Sequence, residues 1–360
     1  MLEKILLRYG IPPEAIIRPY GSGLINRTWR IKYPAEDYIL QKINQEVFKE
    51  PQNIADNIQT IASYLEKKYP EYFFISPGKT KNGESLVHLP GEGYFRLFPF
   101  VKNSFAYDVV QTPQQAFEAA RQFGMFTKLL SDLPADRLKI TLPGFHNLTY
   151  RYDQFEKAIK YGNHSRLQEA GETIHFLRLH DHIVSTYKKI VSDTAFKLRI
   201  THHDTKISNV LFDKKGKGLC VIDLDTVMPG YFISDVGDMM RTYLSPVSEE
   251  EKDFSLVQVR EDYFGAILQG YLEQMVTELT TKEIDHFVYA GMFMTYMQAI
   301  RFLTDYLNND SYYGASYEGH NYIRAKNQVT LLERLLNKEN ILNNMVIETI
   351  GSLSPEKNKG

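Results

Sequence analysis

One segment, residues 197–230, narrows the possible folds of this chain more than any other. It interrupts a long series of helical patterns with two short apolar runs, at 210–212 and 219–222, which predict strands. The loops that flank these runs are rich in Asp and Gly. Loops on a rigid scaffold often carry the functional side chains of a protein. The segment therefore predicts a mostly helical region built around one polar β-hairpin.

The first hundred residues predict a smaller mixed unit. Their apolar patterns and turn residues indicate strands at 15–20, 28–33, 38–43, 72–75, 85–89 and 94–98. Pro51 begins a helical pattern that continues to Lys68. Later helical patterns cover 113–131, 150–161, 165–189, 249–273, 282–307 and 321–337.

This order of elements predicts an α+β, bilobal fold, and the motif at residues 202–209 makes that fold a protein-kinase-like one. We expect an N-lobe at residues 1–101, with an antiparallel sheet of about five strands plus a helix, and a helical C-lobe at 102–360.

Composition excludes several classes of partner. The chain has 42 basic and 44 acidic side chains, so a net charge of -2 gives no basic excess for nucleic acid or an anionic membrane. No stretch approaches the roughly 20 apolar residues of a membrane span. The one cysteine, Cys220, lies in an apolar run and is expected to be buried and unreactive. We expect a cytoplasmic protein with a small-molecule partner; a monomer is favoured, and the oligomeric state stays open.

The sequence HHDTKISN, residues 202–209, fits the pattern H-x-D-x-x-x-x-N of kinase catalytic loops. In that pattern Asp204 would accept the proton of the acceptor hydroxyl, and Asn209 would hold Mg²⁺. Asp223 follows the second predicted strand, where kinases place their other metal-binding aspartate. The loop alone is also compatible with a surface loop and helix cap. Leu224 and Asp225 replace the Phe-Gly of protein kinases, which favours a small-molecule kinase.

The N-lobe contains a candidate ATP site. Gly21, Gly23 and Asn26 lie in a turn between predicted strands, where backbone N–H groups can approach phosphates. Lys42 on a following strand is a candidate phosphate ligand, although a solvated lysine is an equal alternative, and Gln41 points to the opposite face. Glu50 or Asp56 would supply its acidic partner.

Two further segments have expected roles. Residues 96–102, RLFPFVK, form a possible hinge, and Phe98, Phe100 and Val101 would contact adenine; a buried strand end is the alternative. Asp235 opens a helical pattern and is expected to have a structural role, as a cap or as a brace of the catalytic loop.

At these residues the chain resembles the aminoglycoside phosphotransferase and choline kinase superfamily, and more closely the bacterial N-acetylhexosamine 1-kinases. The likeness covers roughly residues 15–340, in the segments GSGLIN, YILQKIN, RLFPFV, QFGMF, LPGFHN, HHDTKISNVLFD, VIDLDTVMPG, SDVGDMMR and RFLTDYLNNDSYY. It implies phosphorylation of the anomeric hydroxyl of N-acetylglucosamine (GlcNAc) or N-acetylgalactosamine (GalNAc), with ATP and Mg²⁺.

The resemblance also implies roles for single residues. Asp204 would be the base, Asn209 and Asp223 the metal ligands, and the sugar site would include Arg301, Asp305 and Tyr312. Arg301 and Asp305 are four residues apart on one helix face, so an intrahelical salt bridge is the alternative. The chain departs from the usual pattern by Lys42 in place of Arg and by His203 in the loop.

Two rival functions remain at this level. The first is a kinase of another small alcohol, of the choline, aminoglycoside or pentose type. The second is a pseudokinase that binds nucleotide without turnover, although Asp204, Asn209 and Asp223 are all present. A few side chains in the pocket decide between GlcNAc and GalNAc.

Overall fold

The structure is a computed structural model, and it describes residues 2–21, 25–34 and 36–353. Its strands are β1 (Ile16–Pro19), β2 (Arg27–Lys32), β3 (Asp37–Lys42), β4 (Val87–Leu89), β5 (Gly93–Pro99), β6 (Arg199–Thr201), β7 (Val210–Phe212), β8 (Gly218–Val221) and β9 (Met228–Gly230). Its α-helices are α1 (Leu2–Arg8), α2 (Pro51–Lys68), α3 (Pro113–Leu129), α4 (Leu148–Tyr161), α5 (His164–Glu169), α6 (Gly171–Leu179), α7 (His182–Ser192), α8 (Phe232–Tyr243), α9 (Glu261–Met275), α10 (Thr281–Asp285), α11 (Phe287–Leu307) and α12 (His320–Leu353).

The N-terminal sheet is antiparallel, with the strand order β1-β2-β3-β5-β4. Side chains alternate between its faces. On one face Ile31, Leu40 and Phe95 form a small core with Ile5 and Leu6 of α1. The other face carries polar side chains and points towards the helical part of the molecule.

Helix α2 lies between β3 and β4 in the sequence but packs with the helical part. Its apolar stripe, which includes Ile54 and Ile58, belongs to the large core of the C-terminal helices. The Asn57 side chain donates to the carbonyl oxygens of Val227 (3.0 Å) and Lys139 (2.8 Å), and so fixes the helix there.

The helical part is built around α11. This helix is apolar on all sides and almost completely buried, as expected of a central helix. It packs against α4, α8 and α12, while α3 pairs with α9. Two small β-elements lie on this body: β6 pairs with β9, and β7 pairs with β8. The segment after β5 pairs with β7, because Phe105 and Phe212 exchange two backbone hydrogen bonds of 2.8 Å.

The predicted α+β kinase-like fold is confirmed, and α2 has the predicted bounds. Several predicted elements were wrong in detail. Residues 72–75 form no strand, and 165–189 contains three helices instead of one. The segment 249–273 becomes α-helical only from Glu261, a break at His286 divides 282–307, and α12 continues to Leu353. Among the described residues, no helix is both long and apolar enough to cross a membrane.

Candidate active site

Two buried aspartates of α8 accept hydrogen bonds from the backbone of the loop 202–209. The Asp235 carboxylate accepts from the backbone N–H groups of His202 (2.9 Å) and His203 (2.7 Å). The Asp238 carboxylate accepts from the N–H of Thr205 (2.8 Å). Asp235 lies in the first turn of α8 rather than at its cap, and burial raises the pKa of its carboxyl group to about 7. Asp235 therefore braces the backbone of the loop, which is one of the two structural roles predicted for it.

Asp204 lies at the open side of this loop. Its carboxylate is 3.2 Å from the ammonium group of Lys206, and both side chains are only partly buried. Burial favours the neutral amine of Lys206, but the carboxylates of Asp204 and Asp223 outweigh it and raise the pKa of this lysine. Lys206 therefore stays charged beside the predicted base.

The backbone segments that carry Asn209 and Asp223, the two predicted metal ligands, run side by side. The Asn209 side-chain N–H donates to the carbonyl oxygen of Asp204 (2.8 Å), so its amide oxygen remains an available acceptor. The backbone oxygen of Asn209 accepts from the N–H of Ile222 (2.8 Å), which ties the loop to the residue before Asp223. Asp223 adopts a left-handed conformation (φ +61°), a strained state that is common at functional sites.

These oxygens suit a divalent cation. Asp223 is exposed to the cleft, yet the surrounding protein and then the carboxylates of Asp225 and Asp204 raise its pKa. A bound cation would offset that crowding of negative charge. Among the described residues, no group of three or more His, Cys, Asp or Glu side chains could hold a metal alone. Mg²⁺ commonly takes its other ligands from substrate phosphates and water.

A buried ion pair connects the sheet to this loop. Nη1 of Arg96 on β5 lies 2.5 Å from Oδ1 of Asp225, and each side chain is 3% exposed. The other oxygen of Asp225 accepts from the side-chain N–H of Asn26 (2.7 Å). The remaining guanidinium N–H groups of Arg96 donate to Gln41. The candidate phosphate-side residue Asn26 therefore meets the residue two positions after Asp223.

The structure does not bring Lys42 to this site. Gln41 pairs with Arg96 across β3 and β5, and both face the aspartates, whereas Lys42 pairs with Phe95 on the α1 face. Successive strand residues point to opposite faces of the sheet, so Lys42 points away from the aspartates. Arg96 lies where Lys42 was expected. Neither proposed partner meets Lys42: Asp56 pairs with Lys139, and Glu50 precedes α2 without a side-chain capping bond.

The expected adenine segment borders the same face. The Phe98 ring lies 5.0 Å from the Arg96 guanidinium carbon, and Phe100 lies 3.9 Å from that of Arg30. Val101 accepts a 2.8 Å hydrogen bond from Ser104 through its carbonyl oxygen. Gly21 has φ +79° with free space at its Cβ position, and Gly23 lies outside the described residues.

Of the three predicted sugar residues, Asp305 is fully engaged elsewhere. Its carboxylate accepts from the backbone N–H groups of Tyr312 (2.7 Å) and Tyr313 (2.9 Å), so it shapes the loop after α11. Arg301 forms no salt bridge with it; instead it donates to Gln298 (3.2 Å) and lies 5.5 Å from the Tyr313 ring. Tyr312 is 67% exposed, at the rim.

Arg151 of α4 adds a second positive charge near Arg301. Burial and then the charge of Arg301 lower the pKa of Arg151. Nε of Arg151 is buried without a hydrogen-bond partner, and neither guanidinium has an ion pair within the described ranges. The Phe145 ring lies 5.4 Å from the Arg301 guanidinium carbon and 6.4 Å from the His203 ring. The side chains of Phe145, His146, Arg151 and Tyr313 cluster around Arg301; we call this cluster the acceptor pocket, for the role proposed for it below.

Sequence reasoning missed Arg96, Asp225, Lys206, His146 and Arg151 as candidate site residues. For two of these a signal was available. Lys206 stands inside the recognised loop motif, two positions after Asp204. Arg96 is a single charge within an otherwise apolar strand and shares a face with Gln41. Arg151 had no comparable signal, because its helix is polar on much of its surface.

Solved structures with the same fold are kinases of small molecules. The chain is similar to a microcompartment-associated aminopropanol kinase, with 13% identity, TM-score 0.66, and coverage of 95% of this chain and 98% of that one. It is similar to an amicoumacin kinase in complex with AMP-PNP and Ca²⁺, with 14% identity, TM-score 0.59, and coverage of 98% and 92%. It is also similar to a choline kinase from Cryptosporidium parvum, with 14% identity, TM-score 0.55, and coverage of 98% of each chain.

These identities are low, so the three likenesses establish the fold alone. A family model gives the classification. The model described as the phosphotransferase enzyme family, APH, matches residues 16–271, which include the sheet, the catalytic loop and Asp223. The chain therefore belongs to the APH phosphotransferase enzyme family.

Proposed function

We propose that this protein transfers the γ-phosphoryl group of ATP to the anomeric hydroxyl of an N-acetylhexosamine, GlcNAc or GalNAc. Family membership makes the chain a small-molecule phosphotransferase. The observation that carries the choice of acceptor is the charge of the acceptor pocket. Arg151 and Arg301 approach one another there without a carboxylate partner among the described residues. Such a pocket offers hydrogen-bond donors to an oxygen-rich acceptor.

The same charge argues against cationic acceptors. Choline is a cation and aminopropanol carries an amine, and proteins bind such groups with carboxylates or aromatic cages. Here both oxygens of Asp305, the carboxylate predicted for the pocket, already accept hydrogen bonds from backbone N–H groups. Guanidinium groups can instead donate hydrogen bonds to the acetamido carbonyl and the hydroxyls of an N-acetylhexosamine, while Phe145 and Tyr313 offer ring faces.

The residues of the cleft have separate roles in this proposal. Asp204 orients the anomeric hydroxyl and accepts its proton. Lys206 lies beside Asp204, where its charge would favour the transferring group. Arg96 pairs with the buried Asp225 and connects β5 to the residues after Asp223. Asn209 and Asp223 would hold Mg²⁺, which supplies charge neutralisation for the phosphates. Gly21 and Asn26 would border the phosphates, and Phe98 to Val101 the adenine. Phosphoryl transfer needs mainly such positioning and electrostatic stabilisation.

A coupled ADP-release assay tests the proposal directly. Purified protein would receive ATP and Mg²⁺ with GlcNAc, GalNAc, glucose, ribose, glucosamine, choline, ethanolamine and an aminoglycoside. ³¹P NMR would identify the product. We expect turnover with N-acetylhexosamines and a sugar 1-phosphate signal that is coupled to the anomeric proton.

Other results would redirect the assignment. ADP release only with another alcohol would retain a kinase of the same family and overturn the sugar assignment. ATP binding without turnover of any acceptor would favour the pseudokinase alternative. Turnover of choline equal to that of GlcNAc would contradict the argument from pocket charge.

A further inference from the structure

Two histidines form a contact between the catalytic loop and the acceptor pocket. His203, the residue before Asp204, lies with its Nδ1 atom 3.2 Å from Nδ1 of His146. His146 stacks on Phe145 with ring centroids 4.3 Å apart, and Phe145 in turn lies beside Arg301. The pair therefore connects the backbone next to the proposed base with the side chains that would receive the acceptor.

The surroundings of His203 determine which of its nitrogens carries hydrogen. Its Nε2 atom lies 2.8 Å from Oγ1 of Thr201, which itself donates to the Met228 carbonyl (3.4 Å). The carbonyl oxygens of Met228 and Pro229 also interact with the His203 ring. Carbonyl oxygens only accept hydrogen bonds, so Nε2 is the protonated nitrogen of His203.

This assignment determines the state of His146. Burial lowers the pKa of His203 to about 4, so its Nδ1 atom is an acceptor at neutral pH. Nδ1 of His146 must then donate the hydrogen. Burial, His203 and Arg301, followed by Arg241 and Arg151, hold the pKa of His146 well below its usual value. A neutral His146 protonated at Nδ1 has a lone pair on Nε2.

We propose that His146 is an acceptor-substrate residue whose Nε2 atom receives a hydrogen bond from an O–H or N–H group of the sugar. His203 and Thr201 hold it in the required tautomer and act as positioning residues. The half-buried ring of His146 has no other hydrogen-bond partner within the described ranges. The inference rests on the proposed function only in taking this pocket as the acceptor site.

Two variants separate the roles of the two ring nitrogens. The amide nitrogen of His146→Asn can retain the donor near the Nδ1 position but removes the acceptor at Nε2. His146→Gln instead restores a polar group near Nε2. We expect His146→Asn to reduce kcat/KM for the acceptor about tenfold, mainly through KM, as for one hydrogen bond between neutral groups. The affinity for ATP should remain that of the wild type, and His146→Gln should recover part of the loss.

His175→Asn, on the exposed face of α6, is the matched control and should change nothing. An acceptor kcat/KM within about twofold of wild type in His146→Asn would overturn the inference. So would equal losses in the Asn and Gln variants together with a lower Tm, because these would indicate a purely structural role. If N-acetylhexosamines are not phosphorylated, the sugar proposal fails, and the variants are compared on whichever alcohol is turned over.

A measurement that needs no turnover keeps the inference testable. Long-range ¹H–¹⁵N NMR correlations distinguish protonated from unprotonated imidazole nitrogens in the wild-type protein. We expect His146 protonated at Nδ1 and His203 at Nε2, with a shift of the His146 Nε2 signal when GlcNAc or another bound acceptor is added. Protonation of His146 at Nε2 would contradict the proposal, as would an Nε2 signal unchanged by a bound acceptor.

Discussion

Asp204, Asp223 and Asp225 lie close together, but each contacts different neighbours. We assign them different roles on that basis. Asp204 faces solvent and a lysine, Asp223 faces solvent and other carboxylates, and Asp225 is buried against Arg96. Only the first combines exposure with a nearby cation. The residue type alone does not distinguish the three, but their surroundings do.

At this scale the proposed base gives the sharpest prediction. Asp204→Asn keeps the size of the side chain and removes the proton acceptor. We expect kcat to fall by at least ~10²-fold, as is typical for a general base. ATP affinity, measured by titration calorimetry, should change little, because the Asn209 and Asp223 side chains remain. A kcat within a few-fold of the wild type would show that Asp204 is not the base.

The Arg96–Asp225 pair predicts an effect on stability. Arg96→Met would leave the buried Asp225 carboxylate without its cation, and such losses cost about 3–5 kcal/mol. We expect the free energy of unfolding in urea to fall accordingly. The double variant Arg96→Met/Asp225→Asn should recover most of this loss, because no unpaired charge remains. Equal stability of the single and double variants would show that the loss does not come from an unpaired Asp225 carboxylate.

Residue positions in the site were predictable only where a motif spans them. The loop motif and the predicted hairpin after it placed Asp204, Asn209 and Asp223 close together, and their backbone and side-chain contacts agree with this. The error with Lys42 has a simple origin. Strand alternation says that Lys42 and Gln41 face opposite sides, but not which side faces the cleft. That choice depends on where α1 packs, and this is a tertiary property.

At the scale of elements, helix bounds were predictable where local signals agree. Pro51 at the first turn and the apolar stripe of α2 define its start and length. The single helix predicted for 165–189 is wrong because it is divided at two caps that the pattern does not reveal: α5 ends at Glu169 with the C-cap Ala170, and α6 ends at Leu179 with the C-cap His180. In the segment 72–75, which forms no strand, Tyr72 and Phe74 pack on the helical core instead of joining a sheet.

The crossing of α8 and α11 yields a prediction about packing. A Cβ atom added to Gly237 would lie 2.3 Å from the Ala290 carbonyl oxygen and 2.9 Å from Cβ of Met294. Gly237→Ala would therefore force the two helices apart, and overpacking of this kind costs about 1–3 kcal/mol. Chemical denaturation should show that loss, and activity should fall as well, because α8 carries Asp235 and Asp238.

Gly171→Ala is the matched control for this packing effect. Gly171 begins α6 with free space around its Cβ position, so the change should be neutral or slightly stabilising. A loss of stability equal to that of Gly237→Ala would mean that the helix crossing is not the cause.

For the whole molecule, the single cysteine can report global unfolding. Cys220 is 1% exposed on β8, and burial raises the pKa of its thiol to about 12. A thiol that is both neutral and inaccessible reacts slowly. We expect almost no modification by Ellman's reagent at pH 8 in the native state and complete modification in guanidinium chloride. Rapid native-state reaction would show that β7 and β8 open locally.

The bilobal architecture was predictable from the order of strand and helix patterns, but the lobe against which α2 packs was not. Its sequence position places it among the strands of the first hundred residues. Its apolar stripe instead joins the core of the C-terminal helices. We still propose a lobe boundary between residues 101 and 102 along the chain. Helix α2 precedes this boundary in the sequence but packs against helices that follow it.

That packing has a consequence for synthesis on the ribosome. The hydrogen bond from Asn57 of α2 to the carbonyl oxygen of Val227 spans 170 residues. The N-terminal sheet with α1 can close its small core early, whereas the apolar stripe of α2 must wait until its partners have been translated. Throughout that interval Ile54, Ile58, Ile61 and Leu65 are exposed on the nascent chain. This helix is therefore where a chaperone would bind first, and where a prematurely terminated chain would begin to aggregate.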